Sequence, residues 1–209
     1  MKKFFIAISS ICLFITACKD ETKKSDEIKP ADTAQASGLN KDSALLQLTS
    51  DILTAFKDKN YLAVADFIDP VSGARFSPYG YIDTIRNVIL SKEKFAEQAG
   101  SANQNKIVWG EFDGSGDTIR MTLNEYIQKF VYDVDFSNPE TRKVNEFIGH
   151  GNSLNNLLSV YKDCDFTESH FSGFEKKYEG MDWRTLRLVF KERDGKYFLT
   201  GIVHDQWTS

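Results

Sequence analysis

Imidazole, carboxylate and indole groups come together near the carboxyl end of the chain, where residues 201–207 read Gly-Ile-Val-His-Asp-Gln-Trp. A histidine that is hydrogen-bonded to a carboxylate can act as a general base. His204 would form such a pair with Asp182 or Glu168 if both side chains entered one pocket. The same run also fits a second interpretation, in which it is a sheet edge whose polar groups bond to nearby loops.

The chain contains three histidines, His150, His170 and His204. Tight zinc sites usually place two of their ligands within about four residues of each other. No two of these histidines are that close in the sequence. We therefore expect structural histidines, and neither a metal ion nor another cofactor.

A short acidic run suggests calcium at first sight. Asp113, Ser115 and Asp117 place side-chain oxygens at alternate positions, as at the start of a calcium-binding loop. The glycine that such a loop needs at its sixth position is Thr118, and the glutamate at its twelfth is Asn124. A hairpin turn explains the same residues and is the interpretation that we prefer.

Arginine lies beside aromatic residues in the segments 75–79 and 182–184. Such neighbours suit the binding of a carboxylate or a sugar, and they suit core packing equally well. The chain has no glycine-rich phosphate loop, no GxSxG or HExxH motif and no CxxC pair. Cys164 stands between two aspartates, which raise the pKa of a thiol, so we expect a structural cysteine.

Composition excludes several classes of protein. The 209 residues include 26 Lys and Arg, 30 Asp and Glu, and 41% hydrophobic residues, with a formal charge of −4. These values are typical of a globular protein rather than a disordered chain or a multi-span membrane protein. The acidic balance gives no basic face for phosphates, so we expect no nucleic acid as a partner.

The first residues have the features of an export signal. Two lysines follow Met1, and Phe4–Ile15 is an apolar run that is too short to cross a bilayer as a helix. Ile15-Thr16-Ala17-Cys18 resembles the lipobox of bacterial lipoproteins. The resemblance implies cleavage before Cys18, lipidation of that cysteine and attachment to the membrane through its acyl chains. The alternative is an ordinary signal peptide followed by an unrelated cysteine.

The residues after Cys18 bear on the destination. Lys19-Asp20-Glu21 lacks an aspartate directly after the cysteine and looks like the surface-export signal of Bacteroidota lipoproteins. The resemblance implies a lipid-anchored protein of the outer membrane, on the outer surface in preference to the periplasmic leaflet. A merely hydrophilic tether is the open alternative.

Three segments follow from these patterns. Residues 1–17 are the predicted signal peptide, and 18–42 are the lipidated cysteine with a flexible tether poor in apolar residues. Residues 43–209 suit a single domain. Within it, periodicity and capping residues predict the following elements: a helix from Ser43, a shorter helix ending before Pro70, a helix over 91–99, a strand over 106–112, a helix opened by the capping box 122–125, and a hairpin turning at 194–195.

Helices therefore come first and strands gather late, which predicts an α+β fold with N-terminal helices packed on a curved antiparallel C-terminal sheet. The segments 75–80, 109–116, 180–190 and 201–207 resemble a family of uncharacterised bacterial lipoproteins, which has no established activity. The order of elements is also similar to NTF2-like cone folds.

The NTF2-like resemblance implies a pocket between the sheet and the first helix. Trp109, His170 and His204 would line this pocket, and Trp207 is a further candidate for ligand binding. We expect a non-catalytic domain that binds a small molecule, a glycan or an envelope protein. The alternative is an envelope hydrolase or isomerase that uses His204 and a nearby carboxylate in this pocket.

Overall fold

The computed structural model describes residues 30–149, 151 and 154–208. The helices are α1 (Pro30–Lys57), α2 (Tyr61–Ala65), α3 (Lys92–Gly100), α4 (Leu123–Phe130), α5 (Leu157–Val160) and a 3-10 helix (Lys176–Tyr178). The strands are β1 (Ala74–Ser77), β2 (Ile89–Leu90), β3 (Ile107–Glu111), β4 (Thr118–Met121), β5 (Thr141–Val144), β6 (Asp165–Phe171), β7 (Arg184–Arg193) and β8 (Lys196–Gln206). In this part of the chain no helix has the length and apolar character to cross a membrane.

Six strands form one sheet in the order β2-β1-β8-β7-β6-β5, and β3 and β4 form a separate hairpin. The fold is α+β, as predicted. The prediction of an antiparallel sheet was wrong for one pair, because β1 runs parallel to β8 from Arg75↔Gly201 to Ser77↔Val203. The long connection between these two strands carries most of the helices, and only such a connection permits parallel pairing.

The β7–β8 hairpin is the longest ladder and lies at the centre of the sheet. Asp194 and Gly195 both have positive φ, 50° and 75°, the conformation that a tight two-residue hairpin requires. Alternate residues of β7, such as Leu186 and Leu188, are buried in the main core. The predicted hairpin is confirmed.

The first helix is longer than predicted, because α1 begins at Pro30 and not at Ser43. Its predicted apolar stripe is buried, including Leu45, Ile52 and Phe56. The Thr49 Oγ1 atom lies 2.8 Å from the Leu45 carbonyl oxygen and 2.7 Å from Thr167 Oγ1 on β6. This contact fixes one face of the helix against the sheet.

The predicted capping box of α4 is confirmed. Thr122 Oγ1 accepts from the Glu125 N–H at 3.2 Å, and Glu125 Oε2 accepts from the Thr122 N–H at 2.8 Å. The helix therefore presents a buried stripe to the main core, where Tyr126 stacks on Trp109 with ring centroids 4.0 Å apart.

A smaller apolar cluster covers the opposite face of the sheet. Val189 and Val203 project from the sheet into this cluster, which also contains Ile82 and Leu157. Asn156 ties the covering segment down, since its Oδ1 accepts from the Ile82 N–H at 2.8 Å and its Nδ2 donates to the Ile82 carbonyl at 3.0 Å. Both faces of the central strands are therefore covered.

Candidate functional site

His204 lies on β8 and is completely buried. Its Nε2 is 3.2 Å from Asp133 Oδ1, at the end of α4, and Arg184 Nε is 2.8 Å from the other oxygen of the same carboxylate. Burial raises the pKa of Asp133. The hydrogen bond with His204 and the charges of His204 and Arg184 outweigh this effect and hold the pKa below its usual value. Asp133 is therefore the carboxylate partner of His204.

The structure does not bring His204 together with either carboxylate expected from the sequence. Asp182 Oδ2 accepts from the backbone N–H groups of Phe174 and Glu175, at 3.0 and 2.8 Å, and so holds the β6–β7 loop. Glu168 binds Arg187. Among the described residues, His204 Nδ1 has no hydrogen-bond partner, and its ring packs edge-on against Phe130.

Glu168 belongs to a buried charged network on the other face of the sheet. Arg187 Nε is 2.7 Å from Glu168 Oε2, and Arg187 Nη1 is 3.0 Å from Asp205 Oδ2. Glu168 Oε1 accepts from the N–H groups of Ile148 and Gly149, at 2.9 and 2.6 Å. Since the cation and both carboxylates are inaccessible, the network fixes the covering segment onto the sheet.

The residues predicted to line one pocket lie in different places. His170 pairs in register with Thr185 on β7, and Thr185 pairs with Asp205 on β8. Because neighbouring residues of a strand point to opposite faces, His170 and His204 are on opposite sides of the sheet. His170 Nδ1 is 2.7 Å from Thr185 Oγ1. His170 and His204 therefore cannot line one cavity.

The two predicted tryptophans are also apart. Trp109 is completely buried in the main core, and its Nε1 donates to the Met121 carbonyl at 2.9 Å. Trp207 lies just beyond β8 and is 43% exposed. His150 lies outside the residues that the structure describes. The pocket implied by the NTF2-like resemblance is therefore not formed by the residues expected to line it.

A surface cleft of about 680 Å³ lies between the β1–β2 connection and the β3–β4 hairpin. This volume is within the range of small-molecule sites, about 300–1,000 Å³. The side chains that give it chemical character are aromatic or charged: Tyr79, Tyr81, Arg86, Glu111, Phe112 and Asp113. The candidates His204, Asp182, Trp109, His170 and Trp207 do not line it, whereas Pro78 and Tyr79 of the segment 75–79 do.

One wall of the cleft is a turn that is fixed by side chains. Asp83 Oδ1 accepts from the N–H groups of Ile85 and Arg86, at 2.9 and 3.0 Å. Asn87 Oδ1 accepts from the Asp83 N–H at 2.9 Å. From β1, Arg75 Nη1 donates to the carbonyls of Thr84 and Asn87, at 3.1 and 3.2 Å. The conformation of this wall is therefore set by the chain itself.

The opposite wall is the hairpin turn after β3. Phe112 N–H donates to the Asp117 carbonyl at 2.7 Å, so the run read as a possible calcium loop is the predicted hairpin. Across the described residues, no group of three or more His, Cys, Asp or Glu side chains is placed to hold a metal ion. The hairpin therefore serves as a wall of the cleft.

Two polar contacts join the edges of the cleft. Arg86 Nη1 lies 2.6 Å from Glu111 Oε2 and connects the first wall to the hairpin. Thr208 Oγ1 donates to Asp113 Oδ2 at 2.5 Å and brings the end of the described chain to the same place. Carboxylates and an arginine thus meet at the rim, where water still reaches them.

The aromatic residues of the cleft differ in exposure. Tyr81 is 52% exposed. Tyr79 is half-buried, its ring centroid is 5.7 Å from that of Phe130, and burial raises the pKa of its hydroxyl. The cleft is therefore lined by one half-buried tyrosine ring and one exposed tyrosine ring.

Sequence reasoning missed this cleft because two turns far apart in the chain form it. A signal was present in the segments 75–79 and 113–117, each of which was singled out separately.

Cys164 is half-buried beside the smaller apolar cluster. Burial raises the pKa of its thiol, and Asp163 and Asp165 raise it further, whereas Lys191 lowers it.

No family model and no curated protein matches the chain. Among solved structures, it is similar to a crystal structure assigned as a calcium/calmodulin dependent protein kinase II association domain from Xanthomonas campestris. The identity is 12%, over 92% of this chain and 97% of that chain, with a TM-score of 0.28. So low a TM-score carries no argument, and the resemblance to a lipoprotein family stays a prediction.

Proposed function

We propose that the protein is a lipid-anchored cell-envelope protein whose domain binds a ligand without catalysis, and that the ligand occupies the cleft between the β1–β2 connection and the β3–β4 hairpin. The cleft itself is the observation that carries this proposal. Its volume of about 680 Å³ suits a small molecule. Its walls are fixed by the Asp83 turn and the Arg86–Glu111 ion pair, so little ordering is needed on binding.

A binding role fits this geometry better than the hydrolase or isomerase alternative. That alternative needs His204 and a carboxylate in a pocket, whereas His204 is completely buried with Asp133. Among the described residues that line the cleft there is no histidine and no cysteine. Its carboxylates are held by hydrogen bonds or ion pairs, which suits them to orient a ligand.

A thermal-shift screen of envelope metabolites and oligosaccharides tests the cleft. We expect at least one compound to stabilise the protein, and the shift to be lost in Tyr81→Ala, because Tyr81 is an exposed ring of the cleft. The matched control is Tyr178→Ala, an exposed tyrosine outside the cleft. A ligand whose shift survives Tyr81→Ala and Arg86→Ala would contradict the proposed site.

The anchor rests on the lipobox, residues 15–18, which lies outside the described residues. Metabolic labelling with a fatty acid should mark the wild-type protein, and Cys18→Ala should remove the label and release the protein from membranes. Cys164→Ala is the matched control and should keep the label. Protease digestion of intact cells would then test surface display, since full protection places the domain on the periplasmic side.

The NTF2-like architecture is part of the same proposal. In its favour, the long helix α1 packs along one face of a six-stranded mixed sheet, through contacts such as Thr49 with Thr167. An experimental structure compared with NTF2-like domains tests it. A sheet that does not curve around α1 would exclude the assignment.

A further inference from the structure

We propose that the cleft selects a cationic amine, that is, a ligand with a protonated nitrogen that donates hydrogen bonds. This inference rests on the cleft being the ligand site.

The cleft is negatively charged. Its described lining residues include three carboxylates, Asp83, Glu111 and Asp113, and one cation, Arg86. Arg86 lies between two of these carboxylates, with Nη1 2.6 Å from Glu111 Oε2 and Nε 3.9 Å from Asp83 Oδ2. Asp113 makes no ion pair with a described residue, and its contacts are neutral donors. A concave surface with one sign of charge concentrates ions of the opposite sign, so an anionic ligand is disfavoured.

The carboxylates of the cleft retain acceptor capacity beyond the hydrogen bonds that the described residues give them. Each carboxylate has about four lone-pair sites. Asp113 uses one bond from the Gly114 N–H, at 3.1 Å, and one from Thr208 Oγ1. Glu111 receives the Arg86 bond on Oε2 only. A ligand rich in N–H donors fits these carboxylates better than a ligand that must also accept hydrogen bonds.

An exposed aromatic ring lines the cleft. Tyr81 is 52% exposed, and a ring face attracts a cation within about 6 Å of its centroid. The Phe112 ring already has a cation neighbour, because Lys129 Nζ lies 5.7 Å from its centroid. Lys129 does not line the cleft. Tyr79 and Phe112 are half-buried, so Tyr81 is the most exposed ring among the described residues of the cleft.

Calorimetric titration of the full chain in detergent with spermidine, putrescine, choline and maltotriose tests the inference. Spermidine and putrescine should bind, and more weakly as salt rises. Choline should bind less well, because it is a cation without N–H donors. Glu111→Gln and Asp113→Asn should each weaken binding of spermidine about tenfold. The matched control is Asp117→Asn, which makes the same charge change in the same hairpin outside the cleft and should leave binding unchanged.

The outcomes separate this inference from the proposed function. Binding of maltotriose but not of the amines, lost in Tyr81→Ala, would overturn the inference and leave the cleft as a ligand site. Amine binding that is unchanged in both carboxylate variants would also overturn it, as would no amine binding at millimolar concentration. If the thermal-shift screen also finds no ligand that depends on Tyr81 or Arg86, the proposed function fails as well.

Discussion

Glu168 and Arg187 lie directly opposite each other across β6 and β7, and both side chains are completely buried. Their ion pair, 2.7 Å from Nε to Oε2, has no access to water, and Arg187 also serves Asp205. Breaking a buried ion pair by removing one partner costs more than the pair contributes, because the remaining charge stays buried without compensation. The two residues therefore stabilise the fold only as long as both are present.

Arg187→Met should lower the free energy of unfolding by about 3–5 kcal/mol, since it leaves the carboxylates of Glu168 and Asp205 buried without their cation. Urea unfolding measures the change. Lys94→Met is the matched control, because Lys94 pairs with Glu97 on the exposed surface and little change is expected there. An Arg187→Met protein as stable as wild type would show that the network does not hold the covering segment.

Asp133→Asn should reduce stability at neutral pH and flatten its loss in acid. The pKa of Asp133 is lower in the folded protein than in the unfolded chain. Its contribution is therefore complete above the unfolded pKa, about 4, and is lost as the pH falls through the folded pKa. Urea unfolding from neutral pH to about pH 3 should show the difference between variant and wild type shrinking towards acid.

The matched control for this series is Asp117→Asn, because Asp117 is an exposed aspartate in the β3–β4 turn. It should show no such convergence. A difference between Asp133→Asn and wild type that stays constant over the whole pH range would contradict the role given to the His204 and Arg184 contacts.

Tyr126→Phe should stabilise the protein by about 1 kcal/mol, because the buried Tyr126 hydroxyl has no hydrogen-bond partner among the described residues. Tyr132→Phe should have the opposite sign, since the Tyr132 hydroxyl donates to Asp135 Oδ1 at 2.6 Å. Thermal unfolding of both variants gives the two signs. If both lose stability equally, the Tyr126 hydroxyl has a partner after all.

Gly80→Ala should destabilise the fold by about 1–3 kcal/mol. A Cβ atom at Gly80 would lie 2.5 Å from Asp205 Oδ2, the atom that Arg187 binds, and would displace that carboxylate. Gly100→Ala is the control at the end of α3, where the added carbon meets only Leu62 at 3.8 Å. It should be neutral or stabilising. Equal stability of the two variants would contradict the close packing at Gly80.

Local signals in the sequence were sufficient to predict several helices and strands. The helix predicted over 91–99 is α3, and Thr122 caps α4 as the capping box predicted, because a cap depends only on residues within one turn. The β7–β8 hairpin was predictable for the same reason. The residues that decide its turn, Asp194 and Gly195, lie between the two strands that they join.

Strand β6 and the partners of the candidate site were not predictable in this way. In β6, Thr167, Glu168 and Ser169 are polar yet buried, so the strand shows no hydrophobic alternation. Its polar groups bond to other elements, as Thr167 does to α1. His204 finds its carboxylate at Asp133, 71 positions away, and no local pattern indicates so distant a pairing. The cleft was missed for the same reason.

The position of β8 sets the order in which the protein can fold. This strand follows every other element of the described chain, yet it lies between β1 and β7 in the sheet. Until it is available, β1 and β2 have no strand pairing that joins them to β5, β6 and β7. Contacts between residues so far apart in sequence form slowly. A polypeptide that is still being synthesised therefore cannot complete its sheet until β8 emerges.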